Sequence, residues 1–168
     1  MVKEFIQRTR LLLKTALGRD LDGLELLQRD HLKIEAFFLQ WRIMRSEEAR
    51  KRIFSSLRTE VFAHLHLEEA AFYPSCEKLP NLKRAITECK NDHKQLKALF
   101  HELGEHPFMS DAAEVKMKIL REELTLHFKK EENEIFPRFR MTAKKSQFER
   151  VSREIRANQH GKVEKEAA

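Results

Sequence analysis

The stretch from His64 to Pro74 reads HLHLEEAAFYP, and 63 residues later the stretch from His127 to Pro137 reads HFKKEENEIFP. Both carry His-x-x-x-Glu-Glu, then three residues, an aromatic residue and proline. On an α-helix, positions four apart share a face about one turn apart. His64 with Glu68, and His127 with Glu131, can therefore each present a nitrogen and a carboxylate to a common point. A second repeat lies upstream, where Asp30-His31 recurs as Asp92-His93, 62 residues on. Two copies of one design imply two helical hairpins that face each other, which builds a four-helix bundle with a pseudo-two-fold axis.

The apolar spacing outside these motifs is helical almost throughout. An opening helix over 3–17 shows Phe5, Ile6, Leu12, Leu13 and Ala16 on one face, and Gly18 supplies its stop. The first long helix, from about Asp22 to Arg45, turns Leu24, Leu27, His31, Ile34, Phe38 and Trp41 inward. The second is capped near Ser46, ends before Pro74 and carries Leu57, Val61, His64, Glu68 and Ala71. A third reads Leu82, Ile86, Cys89, His93, Leu96, Phe100 and Leu103. The fourth reads Ala113, Met117, Leu120, Leu124, His127, Glu131 and Glu134 and is stopped by Pro137. A last, basic helix over 144–157 has only Phe148, Val151 and Ile155 as an apolar face and is expected to pack outside the bundle. The expected fold is all-α. It is an up-down four-helix bundle over 24–137 with an extra N-terminal helix and a basic C-terminal extension over 138–168, within one domain spanning 1–168.

Composition narrows the function classes. With 41% hydrophobic and 36% charged residues but only four Gly and four Pro, the chain is neither collagen-like nor of low complexity. The Leu11-Leu12-Leu13 cluster is cut at Lys14, too short for a secretory signal core, and no apolar run reaches membrane-span length. A cytoplasmic location away from membranes is expected. Cys76 and Cys89 match neither a redox pair nor a disulfide framework and are expected to be reduced. Of the net charge of +6, residues 138–168 hold nine Lys/Arg against four Glu. Glu149, Glu154, Glu164 and Glu166 interrupt that charge, and Phe139 and Phe148 are its only aromatics. The segment reads as a solvated helix face, open to a protein partner, and not as a nucleic-acid surface.

His31 and His93 add one imidazole each to the two His/Glu pairs. Four imidazoles and two carboxylates then converge in the middle of a bundle, where burial without partners would cost several kcal/mol. Taken singly, each histidine reads as a core residue with a hydrogen-bond partner. All six groups in phase on four helices, with duplicated spacing, read as a metal site. Nitrogen and oxygen donors suit iron, manganese or zinc, and two carboxylates able to bridge point to a dinuclear centre. Ferritin-like di-iron bundles use Glu-x-x-His, the reverse of the order here.

At these residues the chain resembles the hemerythrin-like family, the HHE cation-binding domain, over about residues 24–137. The order of His, then His-x-x-x-Glu, then His, then His-x-x-x-Glu carries the resemblance, with both Glu-Glu-x-x-x-[Phe/Tyr]-Pro endings and both Asp-His pairs. It implies two non-haem irons, with His31, His64, His93 and His127 as terminal ligands, Glu68 and Glu131 as bridges, and two imidazoles per iron. Oxygen-carrying hemerythrins have His-x-x-x-His on the third helix, whereas Lys97 stands four residues after His93 here. His101 is two turns away, about 12 Å along the axis, and does not replace it. The implied centre is open to O2, hydrogen peroxide or nitric oxide, in a pocket walled by Ile34, Phe38, Leu96 and Leu124. The expected function is binding or reduction of such oxidants, with catalase-like peroxide decomposition or iron storage and delivery as alternatives.

The surrounding polar residues divide into two groups. His66 faces away from the core, and His101, His106 and His160 lack ligand partners at helical spacing. Asp30, Glu69, Asp92 and Glu132 each either accept a ligand imidazole's second N–H or lie at the surface. Cys89 reads as a small core residue. Tyr73 has Phe136 as its equivalent, so no required phenol is expected there.

Overall fold

Asp22 opens the first bundle helix with a capping box. Its side chain accepts from the Glu25 N–H at 3.0 Å while the Glu25 carboxylate accepts from the Asp22 N–H at 3.0 Å. Ser46 and Ser110 cap two further helices in the simpler way, each accepting a backbone N–H at 3.2 Å. The computed structural model describes residues 2–17 and 20–166, the side chains of 2–5, 7 and 159–166 excepted. The elements are α1 (Val2–Ala16), α2 (Gly23–Ile43), α3 (Glu47–Leu67), α4 (Tyr73–Cys76), α5 (Lys83–Gly104), α6 (Asp111–Lys130), α7 (Phe136–Thr142) and α8 (Lys145–Glu166). Helix α2 pairs with α3 and α5 with α6, and the two hairpins meet through α2 with α6 and α3 with α5. The architecture is the expected all-α bundle, and the described residues include no strand.

The expected inward stripes of α2 and α5 are buried throughout, from Leu24 to Trp41 and from Ile86 to Leu103. No helix among the described residues is long and apolar enough to cross a membrane. Helix α1 departs from its reading. Leu11 is its buried anchor, while Ile6, Leu12 and Leu13 are more than half exposed. The helix is otherwise held through ion pairs, Arg8 with Glu35 and Lys14 with Glu25. Three adjacent leucines give a periodic signal on several faces at once, so the sequence left the choice to tertiary contact. Gly18 lies outside the described residues, as do the side chains of Phe5 and His160.

The prolines do not stop their helices. Glu68–Phe72 and Glu131–Ile135 each form a five-residue π-helical turn, with the Tyr73 N–H bonded to Glu68 O and the Phe136 N–H to Glu131 O. A proline ring in an α-helix clashes with the carbonyl four residues back, and the wider turn moves that carbonyl aside. The chain therefore passes Pro74 into α4 and Pro137 into α7. The added residue also rotates the rest of the turn, so Glu132, Ile135 and Phe136 are buried and Glu134 is only half-buried.

Helix α8 lies against α2 and the first π turn, with Val151 and Ile155 buried. Its positive charge is partly satisfied inside the fold: Arg150 bonds Ser75 Oγ at 3.0 Å and Arg156 bonds Leu21 O at 2.7 Å. Close approach depends on Gly23, whose N–H bonds Ser152 Oγ at 3.1 Å. A Cβ at position 23 would sit 2.7 Å from Ser152 Cα. Gly23→Ala is therefore expected to push α8 off α2 and to destabilise the protein by about 1–3 kcal/mol in urea denaturation.

Candidate metal centre

Two apolar clusters fill the bundle, one around Leu27, Ile86 and Phe139 and the other around Phe38, Val61 and Leu120. Between them lies a polar layer. His31, Glu68, His93 and Glu131 have no exposed surface and His64 and His127 have 2% each, so the structure brings all six expected residues together. Ile34, Phe38, Leu96 and Leu124 pack in the apolar cluster next to this layer.

The four imidazoles meet as two pairs. His31 Nε2 lies 3.0 Å from His64 Nε2, and His93 Nε2 lies 3.2 Å from His127 Nε2. Each carboxylate touches one imidazole or more from each pair. Glu68 puts Oε1 at 3.1 Å from His64 Nε2 and Oε2 at 3.3 Å from His93 Nε2. Glu131 Oε2 is 3.4 Å from His31 Nε2 and 3.7 Å from His127 Nε2.

Four further carboxylates stand behind the imidazoles, one at each Nδ1. Glu132 lies at 2.7 Å from His31 and Glu69 at 2.8 Å from His93. Asp30 stands 4.0 Å from His64 and Asp92 3.6 Å from His127. Of the two roles open to these residues, Glu69 and Glu132 thus accept an imidazole N–H, which leaves the Nε2 lone pair facing inward. The pattern crosses the repeat: each π turn's second glutamate supports the lone histidine of the other hairpin. Cations anchor this outer ring in turn, with Lys97 at 3.1 Å from Glu69 and Lys130 at 3.0 Å from Asp92. The position that departs from oxygen-carrying hemerythrins thereby holds a cation on a supporting carboxylate.

Burial and charge oppose each other here. Burial works against a charged His64, but the Glu68 and Asp30 carboxylates prevail and push it up to about 10. His127 rises in the same way through Glu131 and Asp92 against burial. Burial raises the Glu68 carboxyl, yet His64, His127 and His93 hold it well below its ordinary value.

The residues fit a metal. Glu68 Oε1, Glu131 Oε2 and the Nδ1 atoms of His64 and His127 are buried without a hydrogen-bond partner. An orphaned buried carboxylate oxygen costs several kcal/mol. His31 and His93, whose Nδ1 protons are held by Glu132 and Glu69, each turn an Nε2 lone pair toward the other imidazole of the pair, a donor that an electrophile can use. Groups able to hold an ion form around His31, His64, Glu68 and Glu131, and around Glu68, His93 and His127. A third, of Cys89, Asp92 and His127, shares its histidine with the second.

Other residues singled out in the sequence lie outside the layer or at its edge. His66 and His101 are exposed and His106 is half-buried. Cys76 and Cys89 are buried free thiols, and burial raises both. Tyr73, where no required phenol is expected from the sequence, is fully buried at the layer, and its hydroxyl donates to Glu131 Oε1 at 2.9 Å while lying 3.0 Å from His93 Nε2. Five residues from Glu68, it would sit off the ligand face of an α-helix. The π turn brings it inward, and Pro74 after it was the available signal.

The family model of the hemerythrin HHE cation binding domain matches residues 22–139, and the chain belongs to that family. Among solved structures, a hemerythrin HHE cation binding domain-containing protein from Mycobacterium kansasii is similar in fold. The two share 20% identity with a TM-score of 0.72, covering 84% of this chain and 87% of that one. Among curated proteins none matches. The fold and the polar layer thus define a cation-binding helical bundle.

This geometry sets two expectations. Glu132→Gln is expected to weaken metal affinity about 10–100-fold, measured by chelator competition, with helicity unchanged. In the metal-free protein, the raised His64 contributes stability fully below 6.5 and loses it as the pH climbs through about 10. Asp30, Asp92 and Glu69 are lowered, so their contribution is in place at neutrality and is lost only in acid. The urea midpoint of the metal-free protein is therefore expected to fall when the pH is raised from neutral to beyond about 10.

Proposed function

We propose that this chain is a di-iron protein that binds or reduces a small oxidant, O2, peroxide or nitric oxide, at a carboxylate-bridged centre. One observation carries the reading: two imidazole pairs flank two fully buried carboxylates, each of which touches both pairs. His31 and His64 would hold one iron, His93 and His127 the other, with Glu68 and Glu131 between them. Bound iron supplies one-electron redox chemistry and open coordination positions for the oxidant.

The protein's own contribution is orientation and insulation. Glu132 and Glu69 hold Nδ1 protons and so fix which nitrogen of His31 and His93 faces inward. Phe128 stacks on the His31 ring at 3.9 Å between centroids and also approaches His64, which keeps both rings in place and excludes water. Burial of the six groups, none more than 2% exposed, favours retained metal over ready release, and so favours oxidant chemistry over iron storage and delivery.

Elemental analysis after anaerobic loading with ferrous iron tests the reading. About two irons per chain are expected, falling to less than half of that in His64→Leu/His127→Leu, whose metal-free fold should be retained or firmer. Loaded protein is then expected to turn over hydrogen peroxide or to form a nitric oxide adduct. Failure to take up iron would overturn the reading.

A further inference from the structure

The two halves of the polar layer differ at the residue that follows each π turn, Tyr73 in one and Phe136 in the other. Tyr73, the chain's only tyrosine, opens α4 directly after the first π turn and has no exposed surface. Its hydroxyl oxygen lies 3.0 Å from His93 Nε2, 2.9 Å from Glu131 Oε1 and 3.4 Å from Glu68 Oε2. His93 Nε2 in turn lies 3.2 Å from His127 Nε2 and 3.3 Å from Glu68 Oε2. Donor atoms placed about 2.1 Å from one metal, at right angles to each other, are about 3 Å apart. The phenol oxygen thus takes its place among five donor atoms around one point. At the equivalent position in the other half stands Phe136, whose ring lies nearly parallel to His31, 15° between planes and 6.0 Å between centroids. Hydrocarbon supplies no donor there.

We infer that Tyr73, as phenolate, is a ligand of the metal held by His93 and His127, so that the oxidant meets the metal held by His31 and His64. The inference rests on the di-iron reading above. The centre is then unsymmetrical despite the duplicated sequence, with five protein donors on one side and four on the other. Ligation breaks the phenol O–H bond as the oxygen's electron pair goes to the metal, and the proton leaves to the buffer.

The test is optical. Wild-type protein is loaded anaerobically with ferrous iron and oxidised with ferricyanide, which takes one electron from each iron. A visible phenolate-to-iron(III) charge-transfer band is expected, with tyrosinate ring vibrations enhanced in resonance Raman spectra excited within it. With one tyrosine in the chain, such a band assigns itself. Tyr73→Phe is expected to lose the band while keeping its helical circular dichroism and its iron. Iron-loaded wild type without the band would overturn the inference, leaving Tyr73 a hydrogen-bond donor to Glu131 and the di-iron reading intact. A band that survives in Tyr73→Phe would overturn it as well. Wild type that takes up no iron would overturn both readings. Should Tyr73→Phe fail to fold, the wild-type spectrum decides alone.

Discussion

Glu68 and Glu131 lie at the centre of the bundle with no exposed surface, and the rest of the core is arranged around keeping two carboxylates there. An isolated buried carboxylate is penalised by several kcal/mol even after relaxation. Each of the four bundle helices therefore contributes one imidazole to the same layer, and each imidazole is backed by a further carboxylate. Lys97 and Lys130 carry the alternation of charge outward to solvent. Apolar clusters above and below seal the layer, which makes its electrostatic interactions stronger and its unsatisfied atoms more costly. In the di-iron account, two cations complete this balance.

Duplication supplies the geometry, and its departures supply the chemistry. Both π turns start at a central glutamate and both precede a proline. They widen the helix where the carboxylates must reach inward, and they turn the next residue, Glu69 or Glu132, toward the opposite hairpin's histidine. The copies then part. Tyr73 brings an oxygen to one half, while Phe136 and Phe128 flank His31 in the other with hydrocarbon. A pseudo-symmetric frame thereby holds two unlike positions.

The fold class and the six central residues were legible because helical phase and the His-x-x-x-Glu spacing are properties of the chain itself. The inward stripe of α2, with His31 in its middle, is an example: three- and four-residue steps leave little choice of face. What was not legible depends on local departures from that period. One extra residue per π turn moved Glu132 inward, displaced Glu134 and carried Tyr73 to the layer, and α-helical phase predicted none of these. The face of α1 was equally hidden, because Leu11, Leu12 and Leu13 compete for it and only tertiary contact selects Leu11. The arginines of α8 read as solvent-facing charge until Leu21 and Ser75 were seen to receive them.

Anomalous diffraction at the iron edge, from crystals of iron-loaded protein, tests the central claim most directly. The account predicts two peaks about 3.5–4 Å apart, one beside His31 and His64 and the other beside His93 and His127, with Glu68 and Glu131 reaching both. A single peak, or iron only at the protein surface, would contradict it.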